Sequence, residues 1–202
     1  LETVQAVERA GLHVEKVDLS CFAVLRAVAT HCTGAEAIVD IGATGTLLVI
    51  HHDGTPQVVR TIPRGGDEIT RLLSTRLGVG LDEAETLKTT LDADGVGADF
   101  RRDANDVITD AVRPLLSEIR SSLNFYVNSA ADRTVERVTL VGRGSLLPGL
   151  ADQLQGATGL TVRAGDPLQY VGSGRHRARR DDLVQFRSAA AVSVGLSLGA
   201  AS

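Results

Sequence analysis

The chain of 202 residues has no methionine and no tryptophan, and aromatic residues make up only 3% of it. So few rings disfavour a base-stacking platform or an aromatic sugar-binding surface. Lys and Arg number 21 against 25 Asp and Glu, a formal net charge of −4. Binding a phosphate backbone needs a basic surplus, so the balance argues against nucleic acid as the main partner. No apolar run approaches the roughly 20 residues that cross a bilayer, so neither a transmembrane segment nor a signal peptide is expected from these residues. The two cysteines, Cys21 and Cys32, match no metal or redox spacing. Both fall in an apolar helical stretch and read as buried free thiols in a reducing compartment. The missing methionine, with a helix already under way at Leu1, predicts a piece of a longer protein.

What is present is ordinary globular composition, 43% hydrophobic and 23% charged, in a chain long enough to bury a real core. Leu1–Ala10 is amphipathic and stops at Gly11. His13–Val17 alternates like a short strand, and Asp18 or Ser20 can cap a helix running to about His31. Ala37–Ile41 and Thr46–His52 read as strands. Asp53-Gly54 then signals a hairpin into Gln57–Ile62. Asp67 is the expected cap of a helix over Glu68–Leu77, and Asp82 of one over Glu83–Thr90. Leu91–Asp99 reads as a loop. Asp103–Asn128 has a helical period over seven apolar positions, with a kink or break expected at Pro114. Arg137–Val141 is a buried-looking strand that runs into a glycine-rich turn and a helix opened by Pro148-Gly149. Leu160–Arg163 is a last short strand, and Phe186–Leu198 a small-residue helix suited to close packing. Hairpins followed by strand–helix alternation predict a mixed α/β sheet with helices on its faces.

Three features carry chemistry. In Asp40-x-Gly42-x-x-Gly45-Thr46, a glycine turn between strands lets backbone N–H groups approach phosphate oxygens. Asp40 can hold a hydrated Mg²⁺, which keeps most of its waters, and Thr44 and Thr46 add hydroxyls. The same residues also make a plain hairpin. In Val141-Gly142-Arg143-Gly144-Ser145, a strand feeds a glycine turn and a helix, a common way to present backbone to a nucleotide; many strand–helix turns contain glycine for other reasons. Glu85 and Lys88 share one face of a helix and either pair with each other or reach the hydroxyls of a ribose.

In this order, the features resemble the actin-like ATPase superfamily. The phrases Ala10-Gly11-Leu12, Val39-Asp40-Ile41-Gly42-Ala43, Arg64-Gly65-Gly66-Asp67-Glu68-Ile69-Thr70, Glu118-Ile119-Arg120-Ser121-Ser122-Leu123-Asn124-Phe125-Tyr126 and Leu147-Pro148-Gly149-Leu150 look most like the PilM family of type IV pilus assembly, relatives of the division protein FtsA. The resemblance implies an α/β, actin-like (ribonuclease-H-like) mixed sheet with helices on both faces. Residues 1–31 would end an inserted subdomain and return through the first domain. Residues 32–185 would form the second domain, and 186–202 would pack back on the first. Asp40, Gly42, Thr44, Gly45 and Thr46 would form a phosphate loop, with Asp40 in the Mg²⁺ shell. Glu85 and Lys88 would meet the ribose of ATP, and Gly142, Arg143, Gly144 and Ser145 would form the adenosine loop. The family's adenosine loop usually pairs two glycines where Arg143 intervenes here, so this side chain either blocks close approach or meets base or phosphate. No counterpart of the family's first phosphate loop is present.

The function implied is a cytoplasmic scaffold beneath the inner membrane, at most a weak ATPase. It would bind the cytoplasmic tail of the membrane protein PilN, communicate with pilus motor ATPases and self-associate. A nucleotide-independent pseudo-actin module and an actin-like ATPase or kinase are the alternatives. The arginines between Arg175 and Arg180 read as a solvated loop, partly neutralised by Asp181 and Asp182. His51-His52 cannot grip one ion, because neighbours on a strand point to opposite faces.

Overall fold

The computed structural model describes residues 2–29, 34–90, 98–129, 133–169 and 187–200. Cys32, residues 91–97 of the expected loop Leu91–Asp99 and the arginines of 175–180 lie outside them. Five strands form one sheet: β1 (Ala35–Ile41), β2 (Thr46–His52), β3 (Thr55–Ile62), β4 (Arg137–Val141) and β5 (Thr161–Ala164), in the order β3-β2-β1-β4-β5. The hairpin strands β1, β2 and β3 run antiparallel, whereas β4 joins β1 in parallel and β5 joins β4 in parallel. The expected hairpin turn is present, with both Asp53 and Gly54 at positive φ, as a two-residue turn matched to strand twist requires.

Alternation along β1 divides its side chains between two cores. Ala35, Ala37, Val39 and Ile41 face one layer, built with α3 (Gly66–Leu77), α4 (Leu81–Thr90), α5 (Ala98–Asn128) and α6 (Leu150–Thr158). Ile38, with Val49 of β2 and Val141 of β4, faces a second layer made by α2 (Ser20–Val28) and α7 (Ala191–Ala200). Helices therefore cover both faces, as expected.

The second layer is tight because it is built from small residues. A Cβ added at Gly195 of α7 would lie 1.7 Å from the carbonyl oxygen of Ala23 on α2. Arg26 of α2 donates from Nε to the Gly195 carbonyl at 2.9 Å. Gly195→Ala must push the two helices apart and is expected to cost about 1–3 kcal/mol, in the range of overpacking substitutions. The midpoint of urea unfolding reads it, and an unshifted midpoint would contradict this packing.

Several local expectations are corrected. Residues 12–19 form no strand: Leu12, Val17 and Leu19 are exposed, so the alternation has no sheet to bury against. Pro114 sits inside α5, which runs through it without the break that was one of the two outcomes expected there. Asp18 makes no cap on α2; it accepts the N–H of Leu19 and pairs with Arg26. Asp67 does not cap α3 with its side chain either. The helix begins at Gly66, and the N–H groups of Gly66 and Asp67 donate to the carbonyls of Gly42 and Ala43, both at 2.9 Å. Cys21 is a buried free thiol, as read from the sequence. His51 is buried and His52 exposed, on opposite faces of β2.

Candidate functional site

The C-terminal ends of β1 and β4 lie side by side because the strands are parallel, with Asp40 opposite Val141. Each chain then leaves the sheet through glycine. After β1, Gly42 N–H closes a turn onto the Gly45 carbonyl at 2.9 Å. After β4, Gly142 adopts φ 80° and leads into a 3-10 turn, Arg143–Leu146. Between these two turns and the start of α3 opens a cleft of about 540 Å³, lined by Asp40, Gly42, Gly66, Glu85, Lys88, Gly142, Arg143 and Gly144 among others.

The glycines at this cleft are dictated by contact. A Cβ on Gly142 would come within 2.4 Å of both Asp40 Oδ1 and the Ile41 carbonyl oxygen, and one on Gly144 within 2.3 Å of Ile41 Cγ2. The positive φ of Gly142 adds a second reason for glycine. Its N–H donates to the Ser188 carbonyl at 2.8 Å, which ties the wall of the cleft to the short turn ahead of α7.

Asp40 sits at the cleft floor, and burial raises its carboxyl pKa above the ordinary value. Among the described residues no cation offsets this burial, so the carboxylate is suited to a cation supplied from outside. Among the described residues no group of three or more His, Cys, Asp or Glu could hold a metal ion. A cation here would rest on Asp40 through water and on ligand oxygens, which is how Mg²⁺ is usually held.

Glu85 and Lys88 occupy the opposite wall, on α4. The Lys88 ammonium donates to Glu85 Oε2 at 2.5 Å, Thr70 Oγ1 at 2.7 Å and the Gly66 carbonyl at 3.1 Å. These are all three of its donors. The pairing alternative for Glu85 and Lys88 is thus the arrangement of the ligand-free chain, with all three Lys88 donors engaged. Burial pushes the Glu85 carboxyl up. Hydrogen bonds from Lys88 and Thr70, and the charges of Lys88 and Arg143, outweigh it and leave the pKa lowered. The half-exposed Glu85 therefore stays ionised and open to ligand hydroxyls.

The other residues singled out from sequence lie elsewhere. Thr46 is buried and donates its hydroxyl to the Arg64 carbonyl at 2.8 Å. Thr44 borders a neighbouring depression with Arg64, Glu68 and Arg71. Gly45 serves the turn, and Ser145 closes its own 3-10 turn by donating to the Gly142 carbonyl at 2.6 Å. Sequence reasoning missed Gly66, Asp67, Thr89, Leu146, Leu147 and Ala189, which also line the cleft. Gly65-Gly66 was the available signal: a Cβ on Gly65 would lie 2.4 Å from the Ala43 carbonyl oxygen, so this pair marks where helix and turn touch.

The sequence model of a family described as type IV pilus assembly protein PilM matches residues 1–201. The cell division protein FtsA of Neisseria meningitidis is 26% identical over 197 residues, covering 87% of this chain and 48% of FtsA. A solved PilM–PilN type IV pilus biogenesis complex superposes with a TM-score of 0.81 at 27% identity, covering 97% of this chain and 56% of the matched chain. An archaeal actin homolog superposes with a TM-score of 0.57 at 18% identity, over 89% of this chain and 52% of its own, and shows the fold alone. The chain spans about half the length of these relatives.

Proposed function

Because the chain belongs to the type IV pilus assembly protein PilM family and has an actin-like fold, we propose that it is part of a nucleotide-responsive scaffold whose cleft binds ATP with Mg²⁺. The observation that carries this reading is Asp40: a partly buried carboxylate whose pKa is raised by burial, beside glycines that admit no side chain. Asp40 would hold a hydrated Mg²⁺, which would supply positive charge for phosphate in the cleft. Gly42, Gly142 and Gly144 would let the polyphosphate and nucleoside approach the backbone, and Glu85 would accept from ribose hydroxyls.

The charges lining the cleft are three carboxylates, Asp40, Asp67 and Glu85, against Lys88 and Arg143. A polyanion entering without a divalent cation would be repelled. Arg143 is exposed, and its charge reaches Glu85 across the gap. Its role in this reading is to meet phosphate or base rather than to block approach. Arg143→Ala is expected to weaken Mg-ATP binding by about tenfold, the loss of one charge-assisted hydrogen bond. It should also raise the Glu85 pKa, since one cause of its lowering is gone. Carboxyl NMR titration and calorimetry read the two effects; tighter binding by the variant would make Arg143 an obstruction.

By analogy with the matched PilM–PilN complex, the partner proposed for the whole protein is the cytoplasmic tail of an inner-membrane PilN protein. Residues 1–31 would end an inserted subdomain and return through the first actin-like domain, 32–185 would form the second and 186–202 would return to the first; α2 and α7 pack on each other and on the sheet of the second. Closure of the two domains on ATP would set affinity for the tail, to the extent that ATP binds the closed form better. Peripheral association with the cytoplasmic membrane would follow from that contact, and no described helix is long and apolar enough to cross a membrane. Contact with pilus motor ATPases and self-association complete the proposal, with at most weak ATP turnover.

The decisive test is calorimetry of Mg-ATP on the full-length protein, repeated with a PilN tail peptide. Saturable ATP binding that changes peptide affinity is expected. A folded protein that binds peptide but no nucleotide would leave a pseudo-actin docking module, a reading favoured by the complete internal pairing of Lys88. ATP turnover that depends on a small-molecule co-substrate would instead indicate a kinase.

A further inference from the structure

The two edges of the sheet are built differently. β5 is four residues long and carries Arg163, which is bound across β4 to Glu36. β3 is eight residues long, the longest strand of the sheet, and among the described residues β2 is its only neighbour. Alternate residues of an edge strand turn their N–H and C=O groups outward, a template for another strand that proteins usually blunt with lysine, with shortness or with a cover. β3 contains no lysine, and Pro56 interrupts only the end next to the hairpin turn. Its one ionisable side chain, Arg60, already pairs with Glu118 of α5 and donates to Ser122 Oγ at 2.9 Å. Both flanks of this edge are apolar. Val59 lies opposite Val49 and shares its face of the sheet, yet is 48% exposed where Val49 is buried. On the other face, the bonds from Arg60 fix which flank of α5 runs along β3. Phe125, seven residues after Glu118, is two turns further along that flank and is 69% exposed. Tyr126 borders a depression with Thr55 and Gln57, so α5 runs from Arg60 toward the hairpin end, and Phe125 comes level with Val58.

We propose that β3 pairs antiparallel with β3 of a second copy of this chain, across a two-fold axis at Val59, to make one continuous sheet of ten strands. This rests on the self-association in the reading above and not on ATP. A two-fold interface must be complementary to itself, and β3 meets that condition. With Val59 opposite the copy's Val59, Thr61 stands opposite Gln57 and Val58 opposite Arg60. No charge faces its like, and the single charge on each strand keeps its own Glu118. Because Phe125 is level with Val58, it lies beside the copy's Arg60, where a guanidinium and a ring attract; symmetry repeats the contact on the other side of the axis. A foreign strand would meet the same backbone groups. Only a copy brings Val59, Arg60 and Phe125 to the positions that these flanks require. Ten strands is a size that open twisted sheets reach.

The test uses the full-length protein. Sedimentation should show a reversible dimer that grows with concentration and is evident at about 0.1 mM. Amide exchange at that concentration should show alternate β3 residues protected that exchange faster on dilution. Val59→Lys sets two ammonium groups face to face and is expected to weaken the dimer about a hundredfold. Phe125→Ala is expected to weaken it about tenfold. Both side chains are exposed, so each variant, diluted, should keep the wild-type unfolding midpoint. Val59→Cys should be joined to its copy by a short thiol cross-linker. Thr55→Cys should not, since in this register it lies about 26 Å from its counterpart; the wild type gives the background from its own two cysteines. A protein still monomeric at about 0.1 mM would overturn the proposal and the self-association it rests on. A dimer that keeps its strength in both variants, or that links through Thr55→Cys as readily as through Val59→Cys, would overturn this surface alone. Protection of β3 only when a PilN tail peptide is added would give the edge to that peptide and overturn the proposal as well.

Discussion

Asp40→Asn is expected to weaken Mg-ATP binding about a hundredfold and, in the same protein, to raise the stability of the ligand-free state at neutral pH. The first effect follows from removing the charge opposite a hydrated cation. Groups that orient a metal through its bound waters typically contribute 10–100-fold to affinity, and among the described residues no metal-holding cluster stands by to replace Asp40. The second effect follows from burial, which raises the folded-state pKa of Asp40 above its ordinary value. The folded protein therefore binds this proton more tightly than the unfolded chain does. The favourable contribution is complete below the unfolded pKa and is lost as pH rises through the folded pKa, so at pH 7 the ionised carboxylate carries its desolvation cost uncompensated. Asparagine has no such cost. Calorimetry and thermal unfolding at pH 7 read the two effects. Binding at wild-type strength by the variant would remove Asp40 from any cation site, and a fall in stability would mean that the carboxylate has a partner inside the protein.

Glu36→Ala is expected to cost about 3 kcal/mol, the lower end of the range for breaking a buried ion pair. Glu36 is 1% exposed on β1. Its Oε1 accepts from the Thr139 hydroxyl and, at 3.0 Å, from Arg163 Nη2, and lies 3.7 Å from Arg137 Nε. Arg163 also donates to Thr139 at 2.8 Å, so the edge strand β5 is bound across β4 to the centre of the sheet. On the other side, His51 Nε2 lies 3.4 Å from Glu36 Oε2, while His51 Nδ1 accepts the Gly54 N–H at 3.2 Å. That acceptor role places the imidazole proton on Nε2, facing the carboxylate. Without Glu36, the partly exposed arginines can turn to water, whereas His51 and Thr139 stay buried, which is why the lower figure applies. Glu36→Gln should also destabilise, by more than about 1 kcal/mol, because its NH₂ must face either His51 Nε2–H or the arginines, all of them donors. Urea unfolding midpoints measure both variants. A Gln variant as stable as wild type would show that shape, and not acceptor capacity, is what this position needs.

Much of the architecture is legible in the sequence because it is local. The five strands, the Asp53-Gly54 turn and the passage from β4 through Gly142 into α6 each announce themselves in consecutive residues. The convergence of Asp40 with Gly142 is also foreseeable, once β1 and β4 are taken as parallel neighbours. What escapes depends on contacts between distant residues. Glu36 inside an apolar strand gives no sign that Thr139 and Arg163 will surround it. The cap of α3 comes from carbonyls some 24 residues earlier in the chain, so the nearby Asp67 draws the eye instead. Pro114 reads as a break because its conflict with the helix is local, while the apolar face that holds α5 to the sheet on both sides of it is not. Thr44, Thr46 and Ser145 carry hydroxyls in a suitable motif, yet the direction of each is set by a carbonyl or a neighbouring depression that the motif does not contain.

The backbone contacts at Gly65, Gly142 and Gly144 bear on how such a cleft can change over evolutionary time. At these positions any side chain meets main chain or a core isoleucine, so nearly every substitution there is lost through folding before its effect on a ligand can be tested. Heritable variation is left to the residues that point outward from the same turns. Arg143, placed between two such glycines, is the position where a descendant of this chain can alter the charge of the cleft while its walls stay where they are. Divergence within this architecture should therefore change which anion is held, or whether one is held at all, well before it changes the shape of the opening.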